Sequence, residues 1–458
     1  MKLTVIGGGG VRTPRIIPSL VRYTAALDLL ELWLMDIDAA CLELLGERCQ
    51  AIARQVGASF KIILSTDPRE AIRGAQHIIT AIRPGFEEGR AVDERIAFKH
   101  GILGQETTGA GGFAMAMRSL PAILDYCRMA AELAPEAWVY NFTNPAGLVV
   151  QGLHYAGIKR VIGICDGANS AQNAMSHYLG VPMNQVRHEL SGLNHLSWTR
   201  SVRIDPDADG SGGEEVLPAL LTDQQFIQTT YMPMYDPDLR DSIGMWLNEY
   251  LHYYYHRDEA LAALLAKPET RGEQVARLTH QLMDRLREVD ALQHPEAGLA
   301  IYREVMGERS ATYMDHARHA DQETEASPFT DEDEGYAGVA LGCVQAIATG
   351  EPHFTGLNVP NNGAIDGMED DDVVEIGCIV DRDGPHPQPV HGIPEGQYLL
   401  MRDVKRYERL AARAILLRSR KLAAEALTAH PLIGSYPLAK NLVNEFIDAH
   451  RDTVDLWS

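Results

Sequence analysis

Cysteine is scarce in this sequence: six residues in 458, with no Cys-x-x-Cys pair. That excludes a disulfide-stapled scaffold and suits a reducing compartment. Positive charge is also short, with 41 Lys and Arg against 63 Asp and Glu for a net −22. Such a surface repels phosphate backbones and anionic lipid, which argues against nucleic acid or a membrane as partner. Any anionic ligand must be caught by a local cluster of arginine. There is no long hydrophobic run. The longest uncharged window, residues 137–158, is interrupted by Asn141, Asn144, Pro145, Gln151 and His154, and the N-terminal apolar stretch is too short for a signal peptide. No internal repeat or Ser- or Pro-rich linker divides the chain. A cytoplasmic globular protein is expected, long enough for two lobes, and the sequon at Asn141 should carry no glycan.

Strand and helix patterns alternate over the first 165 residues. Strands are predicted at 3–6, 31–35, 60–64, 77–82, 138–142 and 160–164, and helices at 14–27, 39–56, 115–133 and 145–155. This rhythm predicts a parallel sheet with helices on both faces and ligands at the C-terminal strand ends. Residues 84–112, rich in charge and glycine, read as an active-site excursion rather than a packed element. Beyond residue 185, antiparallel strands are predicted at 186–190 and 197–204, with a turn-rich tip at 205–213. Further strands fall near 358 and at 373–380. Helices are expected at 242–266, 272–292, 400–429 and 438–450, and the acidic run 331–334 reads as a solvated helix start. The division is a domain over 1–185 and a mixed α+β lobe over 186–458.

The segment from Val5 to Pro14 carries four glycines, Gly7 to Gly10, between a strand and a helix. Gly8 and Gly10 let the backbone turn and approach a pyrophosphate, whose charge meets the helix N-terminus. The third fingerprint glycine is replaced by Thr13. Asp36, ending the second strand, stands where an acid would hydrogen-bond an adenosine ribose, which favours NAD over NADP. Asn144 precedes Pro145 and is either an amide aimed into the crevice or a helix-capping turn. Cys165 and Asp166 end the sixth strand, and His195 follows at a turn. One thiolate and one imidazole can hold a divalent metal with positions left open for substrate oxygens, but a buried cysteine and an ordinary histidine have the same spacing. Tyr250, in an aromatic run, can be core packing or, with a cation nearby, a general base.

Together these residues resemble the NAD- and metal-dependent glycoside hydrolases of family 4, the 6-phospho-β- and 6-phospho-α-glucosidases. The resemblance spans nearly the whole chain. It rests on the glycine loop with Arg12-Thr13-Pro14, residues 93–96, Lys99 to Gly109, Gly111 to Ala114, Asn144-Pro145-Ala146, Gly163 to Asp166, Gly192 to His195 and Asn361 to Ile365. It implies a Rossmann-like doubly wound sheet with a second mixed α+β lobe. It further implies NAD and Mn²⁺ or another divalent metal as cofactors, a sugar phosphate as substrate, and a homodimer or homotetramer. By the same resemblance Cys165 and His195 are the metal ligands, Tyr250 the catalytic base and Asp166 the position of the α-type general acid. Arg95, Asn144 and Arg271 would contact substrate. The implied reaction oxidises C3 of the sugar, removes the C2 proton, eliminates the aglycone, adds water and returns the hydride, with no net redox. The surroundings of Tyr250 favour β-glycosides, with a 6-phospho-α-glucosidase as the alternative. A malate- or lactate-type dehydrogenase shares the sheet and the Asn-Pro turn.

Overall fold

The computed structural model describes residues 1–206, 212–290, 293–317, 335–454 and 456–458. Six strands, β1 (Lys2–Ile6), β2 (Glu31–Met35), β3 (Lys61–Ser65), β4 (His77–Thr80), β5 (Trp138–Asn141) and β6 (Val161–Gly163), run parallel in the order 3-2-1-4-5-6. This is the order of a dinucleotide-binding doubly wound sheet, and its switch point falls between β1 and β4. Leu3, Val5, Leu32, Leu34, Ile78, Ile79 and Ile162 are all buried. Both faces are therefore covered by helices, as near-continuous apolar strands require.

The sheet does not end at β6. The later strands are β7 (Val186–Leu193), β8 (Leu196–Ile204), β9 (Glu214–Glu215), β10 (Trp246–Leu247), β11 (His353–Pro360), β12 (Val373–Asp381) and β13 (Gly384–Pro387). They extend it antiparallel in the order β6-β11-β12-β7-β8-β10, with β13 on β12 and β9 on β8. One sheet thus threads both halves of the chain. A smaller apolar cluster forms where the helices Arg271–Arg287 and Pro295–Ala311 fold back onto Ala39–Gln55 through Leu45, Leu278, Leu286 and Tyr302. That return closes the C-terminal half over the glycine loop. Among the described residues no helix is long and apolar enough to cross a membrane.

Three sequence expectations are corrected. Residues 84–112 contain a packed helix, Phe86–Lys99, and the next helix, Gly109–Leu133, starts six residues before the predicted 115. The charges of one face misled because they point inward and pair, as Arg90 does with Glu94 at 2.7 Å. The helix expected over 242–266 is broken. Gly244, at φ +62°, ends the helix Pro237–Ile243, and buried Trp246 and Leu247 become an edge strand before helices resume at His252. The helix expected over 400–429 is two, Glu395–Leu417 and Arg420–Ala429, parted by Arg418 at φ +52°. Most of the tip at 205–213 and all of the acidic run 331–334 lie outside the described residues.

Candidate active site

The glycine loop is built by close approach. Gly7, at φ +95°, sits where a Cβ would fall 2.3 Å from the carbonyl oxygen of Ala81, and a Cβ on Gly8 would meet Leu34 at 2.8 Å. Gly7 N and Gly8 N both donate to Met35 O, at 2.9 and 2.8 Å. Gly8 therefore seats the loop on β2, whereas Gly9 and Gly10 line the cavity. Asp36 accepts from Gly9 N at 2.9 Å and from Asp38 N at 3.1 Å. Burial raises its carboxyl above the usual range despite these bonds.

From this loop one cavity of about 1990 Å³ runs across the C-terminal strand ends to Cys165, His195 and Tyr250. It is larger than a single small-molecule pocket of roughly 300–1,000 Å³, and so has room for a dinucleotide and a second ligand side by side. Cys165 follows β6. His195 occupies the turn between β7 and β8 at φ +64°, a conformation few non-glycine residues adopt. This tight turn drives the imidazole back toward the sulfur, and Cys165 Sγ lies 3.2 Å from His195 Nε2. Bond lengths of about 2.3 Å for sulfur and about 2.1 Å for nitrogen put two ligands of one ion roughly 3.1–3.6 Å apart, so the pair fits a divalent ion. Among the described residues no three His, Cys, Asp or Glu side chains gather into a cage, so such an ion would keep positions open. Burial holds the Cys165 thiol well above its ordinary pKa and lowers that of His195 to about 3, which leaves both neutral without a cation.

Tyr250 stacks flat on His195, with ring centroids 3.6 Å apart and planes within 2°. The Tyr313 hydroxyl lies 2.7 Å from the Tyr250 hydroxyl and 3.2 Å from Glu249 Oε1. Burial, with Glu249 nearby, pushes the phenol of Tyr250 well above its usual pKa, while the Tyr313 hydrogen bond pulls the other way. Asp166 and Glu249 are carboxyls raised first of all by burial, and among the described residues Asp166 Oδ1 has no hydrogen-bond partner. Behind His195, fully buried Glu375 accepts from Asn194 and Asn358, each at 3.1 Å, and from Ser197 at 2.7 Å. Burial lifts its carboxyl to about 7 against those donors. Asn144 lines the cavity, its backbone carbonyl held by Ser119 Oγ at 2.8 Å.

The arginines divide. Arg271 lines the cavity, held by Gln274 at 2.5 Å, Thr312 at 2.6 Å and the Arg309 carbonyl at 2.7 Å. Arg95 does not, which corrects the sequence expectation. It lies half-exposed outside, clamped by Glu273 at 2.7 and 2.5 Å. Five residues beyond Arg90, at about 100° each, it is turned roughly 140° away from the cavity side of its helix. The cationic wall consists instead of Arg12, Arg83, Arg90 and Arg309 beside Arg271. Glu106 is paired with Arg83 and, at 3.1 Å, with Arg90. Burial alone would raise its carboxyl, but the two guanidiniums outweigh it and hold Glu106 far below the usual range. Among the described residues the ion pair of Arg309 is a distant one with Glu87 at 3.9 Å, and burial together with neighbouring Arg12 lowers its pKa to about 9. Arg83 and Arg90 share their charge with Glu106, and Arg12, Arg271 and Arg309 add positive charge to the same lining, which suits an anionic ligand. Arg90 and Glu106 were signalled by the charge of residues 84–112, and Arg83 lies just outside that segment, whereas nothing local to Arg309 or Tyr313 marks them.

The family 4 glycosyl hydrolase model matches residues 2–181, and the model of that family's C-terminal domain matches residues 190–433. The 6-phospho-β-glucosidase of Escherichia coli is 29% identical over 463 residues, covering 98% of this chain and 95% of that protein. The maltose-6′-phosphate glucosidase of Bacillus subtilis is 26% identical, covering 98% and 96%. Among solved structures, the 6-phospho-β-glucosidase of Thermotoga maritima with manganese, NAD⁺ and glucose-6-phosphate superposes with a TM-score of 0.83. It is 27% identical, and each chain is covered completely.

Proposed function

The chain belongs to glycosyl hydrolase family 4, and we propose that it is a 6-phospho-β-glucosidase dependent on NAD and on Mn²⁺ or another divalent ion. The observation that carries this reading is the pairing of Cys165 Sγ with His195 Nε2 at 3.2 Å under the ring of Tyr250, in the cavity that also holds the glycine loop. A plain dehydrogenase has no use for that pair. The β-type is favoured by the 29% identity to a β-glucosidase against 26% to a maltose-phosphate enzyme. The 6-phosphate suits a cationic wall in a protein of net charge −22.

Gly10 and Asp36 hold the dinucleotide, with Gly8 seating the loop, and residues 1–185 form the domain that carries it. NAD⁺ when bound supplies a reversible hydride acceptor, so the enzyme oxidises and re-reduces one sugar carbon without consuming cofactor. Cys165 and His195 would hold the ion, whose positive charge would supply Lewis-acid polarisation and favour the ionised forms of nearby thiol and phenol. Tyr250 takes the proton from C2. Its stacking on His195 fixes the ring plane, and the Tyr313 hydroxyl supports the phenolate. Asp166, whose carboxyl burial raises above the usual range against the pull of Arg12 and Arg15, stands where the α-type enzymes of the family place their general acid. Asn144 and Arg271 orient the sugar phosphate, and Arg90 takes the place first given to Arg95. Six unpaired cysteines suit a cytoplasmic setting. A homodimer or homotetramer is the expected assembly.

The test is a panel of p-nitrophenyl α- and β-glucosides, with and without a 6-phosphate, assayed with NAD⁺ and Mn²⁺. Cleavage of the 6-phospho-β-glucoside with solvent exchange at C2 and no net NADH is expected. Undiminished hydrolysis after both cofactors are stripped would overturn the reading.

A further inference from the structure

The motif from Lys99 to Gly109 holds two side chains that the mechanism leaves unused, Gln105 and Thr107. Gln105 Oε1 accepts from the backbone nitrogens of Thr107 and Thr108, at 2.6 and 2.8 Å. A backbone N–H can only donate, so the atom facing them is the carbonyl oxygen and not the amide nitrogen. The same oxygen lies 2.6 Å from Thr107 Oγ1. Two oxygens at that distance need a proton between them, and the amide oxygen has none to give. The hydroxyl proton of Thr107 is therefore committed to Gln105.

Thr107 Oγ1 is also 2.6 Å from His195 Nδ1. With its own proton spent, it can only accept, and Nδ1 must carry the hydrogen. A neutral imidazole protonated on Nδ1 has its lone pair on Nε2, the atom 3.2 Å from Cys165 Sγ. The stacked ring of Tyr250 blocks rotation out of that plane. Without such a partner the proton could equally sit on Nε2, where it would occupy the ligand position.

We propose that Gln105 and Thr107 are positioning residues of the metal site, a two-link chain that fixes the tautomer of His195 so that Nε2 is free to bind a cation. The inference rests on reading Cys165 and His195 as the metal ligands. It extends the site to a segment from the opposite half of the chain, and it gives the Gln-x-Thr spacing a chemical reason: the glutamine folds back on its own turn to orient one hydroxyl.

The test is to titrate Mn²⁺ alone into the full-length, metal-stripped protein and follow the free ion by electron paramagnetic resonance. Thr107→Val keeps the shape but can neither accept nor donate. It is expected to bind Mn²⁺ about 10–100-fold more weakly, with Thr107→Ser within about threefold of the native chain. Gln105→Met, which frees the hydroxyl proton to turn toward Nδ1, should weaken binding in the same sense and serves if the valine variant does not fold. Native affinity in the valine or methionine variant, or equal loss in the serine variant, would overturn the proposal. Cys165→Ser and His195→Ala are measured alongside. If they too bind as the native chain does, it is the ligand assignment that fails and not the tautomer chain alone.

Discussion

His188 is a basic group placed where it cannot easily be charged. It is buried on β7, packs edge-on to Phe354 at 5.2 Å, and neither ring nitrogen has a hydrogen-bond partner among the described residues. Burial, with Arg187 adding to it, lowers its pKa from 6.5 to about 4. A histidine with a depressed folded-state pKa contributes stability above its unfolded pKa, and loses it as pH falls from 6.5 toward 4, by about 1.4 kcal/mol per pH unit. His188→Leu gives up no hydrogen bond. It should leave stability near pH 8 little changed and make the denaturant midpoint fall less steeply between pH 6.5 and 4.5. At the same scale Tyr250→Phe removes the proposed base but keeps the stacked ring. A drop of about 10²–10⁴ in kcat with KM nearly unchanged is expected from steady-state kinetics. The individual chemical residues were the most legible part of the sequence. Cys165, His195 and Tyr250 were singled out and do converge. Cys165 and His195 sit at a strand end and a turn that their neighbours mark, whereas Tyr250 lies in a short helical turn, Glu249–Leu251, inside a segment expected to be one long helix. Arg95 was misplaced because sequence gives a residue's spacing but not which face of an unrecognised helix it occupies.

At the scale of elements, the first turn of the helix Gly109–Leu133 is a seat for the loop before it. A Cβ on Gly112 would fall 2.7 Å from the backbone of Thr107, and one on Gly111 would lie 2.4 Å from the carbonyl oxygen of Gln105. Contact that close to backbone cannot be relieved by a rotamer change, so Gly112→Ala must move the loop. It should lower kcat/KM by at least about tenfold, since small displacements of supporting groups are costly in an active site. Far-ultraviolet circular dichroism should stay native, because alanine favours helix over glycine. The six parallel strands were read to within about two residues, since apolar runs between turns have one stable use, whereas the short edge strands β9, β10 and β13 were missed because two to four residues carry no period. The helix Phe86–Lys99 was missed for the opposite reason. Its inward face is charged because it faces a polar cavity, and hydrophobic periodicity cannot report burial against arginine and glutamate.

At the scale of the molecule, the end of the C-terminal helix Tyr436–Ala449 is tied to the first half by a buried hydrogen-bonded cluster. Arg118, with no exposed side chain, grips Asp93 through both nitrogens at 3.0 and 2.6 Å, and His450 Nε2 lies 2.6 Å from the same carboxylate. Asp93→Asn leaves a buried guanidinium without its counter-charge and should cost about 3–5 kcal/mol in chemical denaturation. The junction near residue 185, where the chemical character of the sequence changes, is crossed by the sheet itself. Gly163 of β6 pairs with Asn358 of β11, and β12 inserts between β11 and β7. A polypeptide woven this way has no seam to tear along. Produced separately, residues 1–185 and 186–458 should each emerge as insoluble material with a raw strand border. Cutting the gene there would strip β6 and β11 of each other and leave two unpaired sheet edges, so sedimentation of the separate fragments should find both largely in the insoluble fraction.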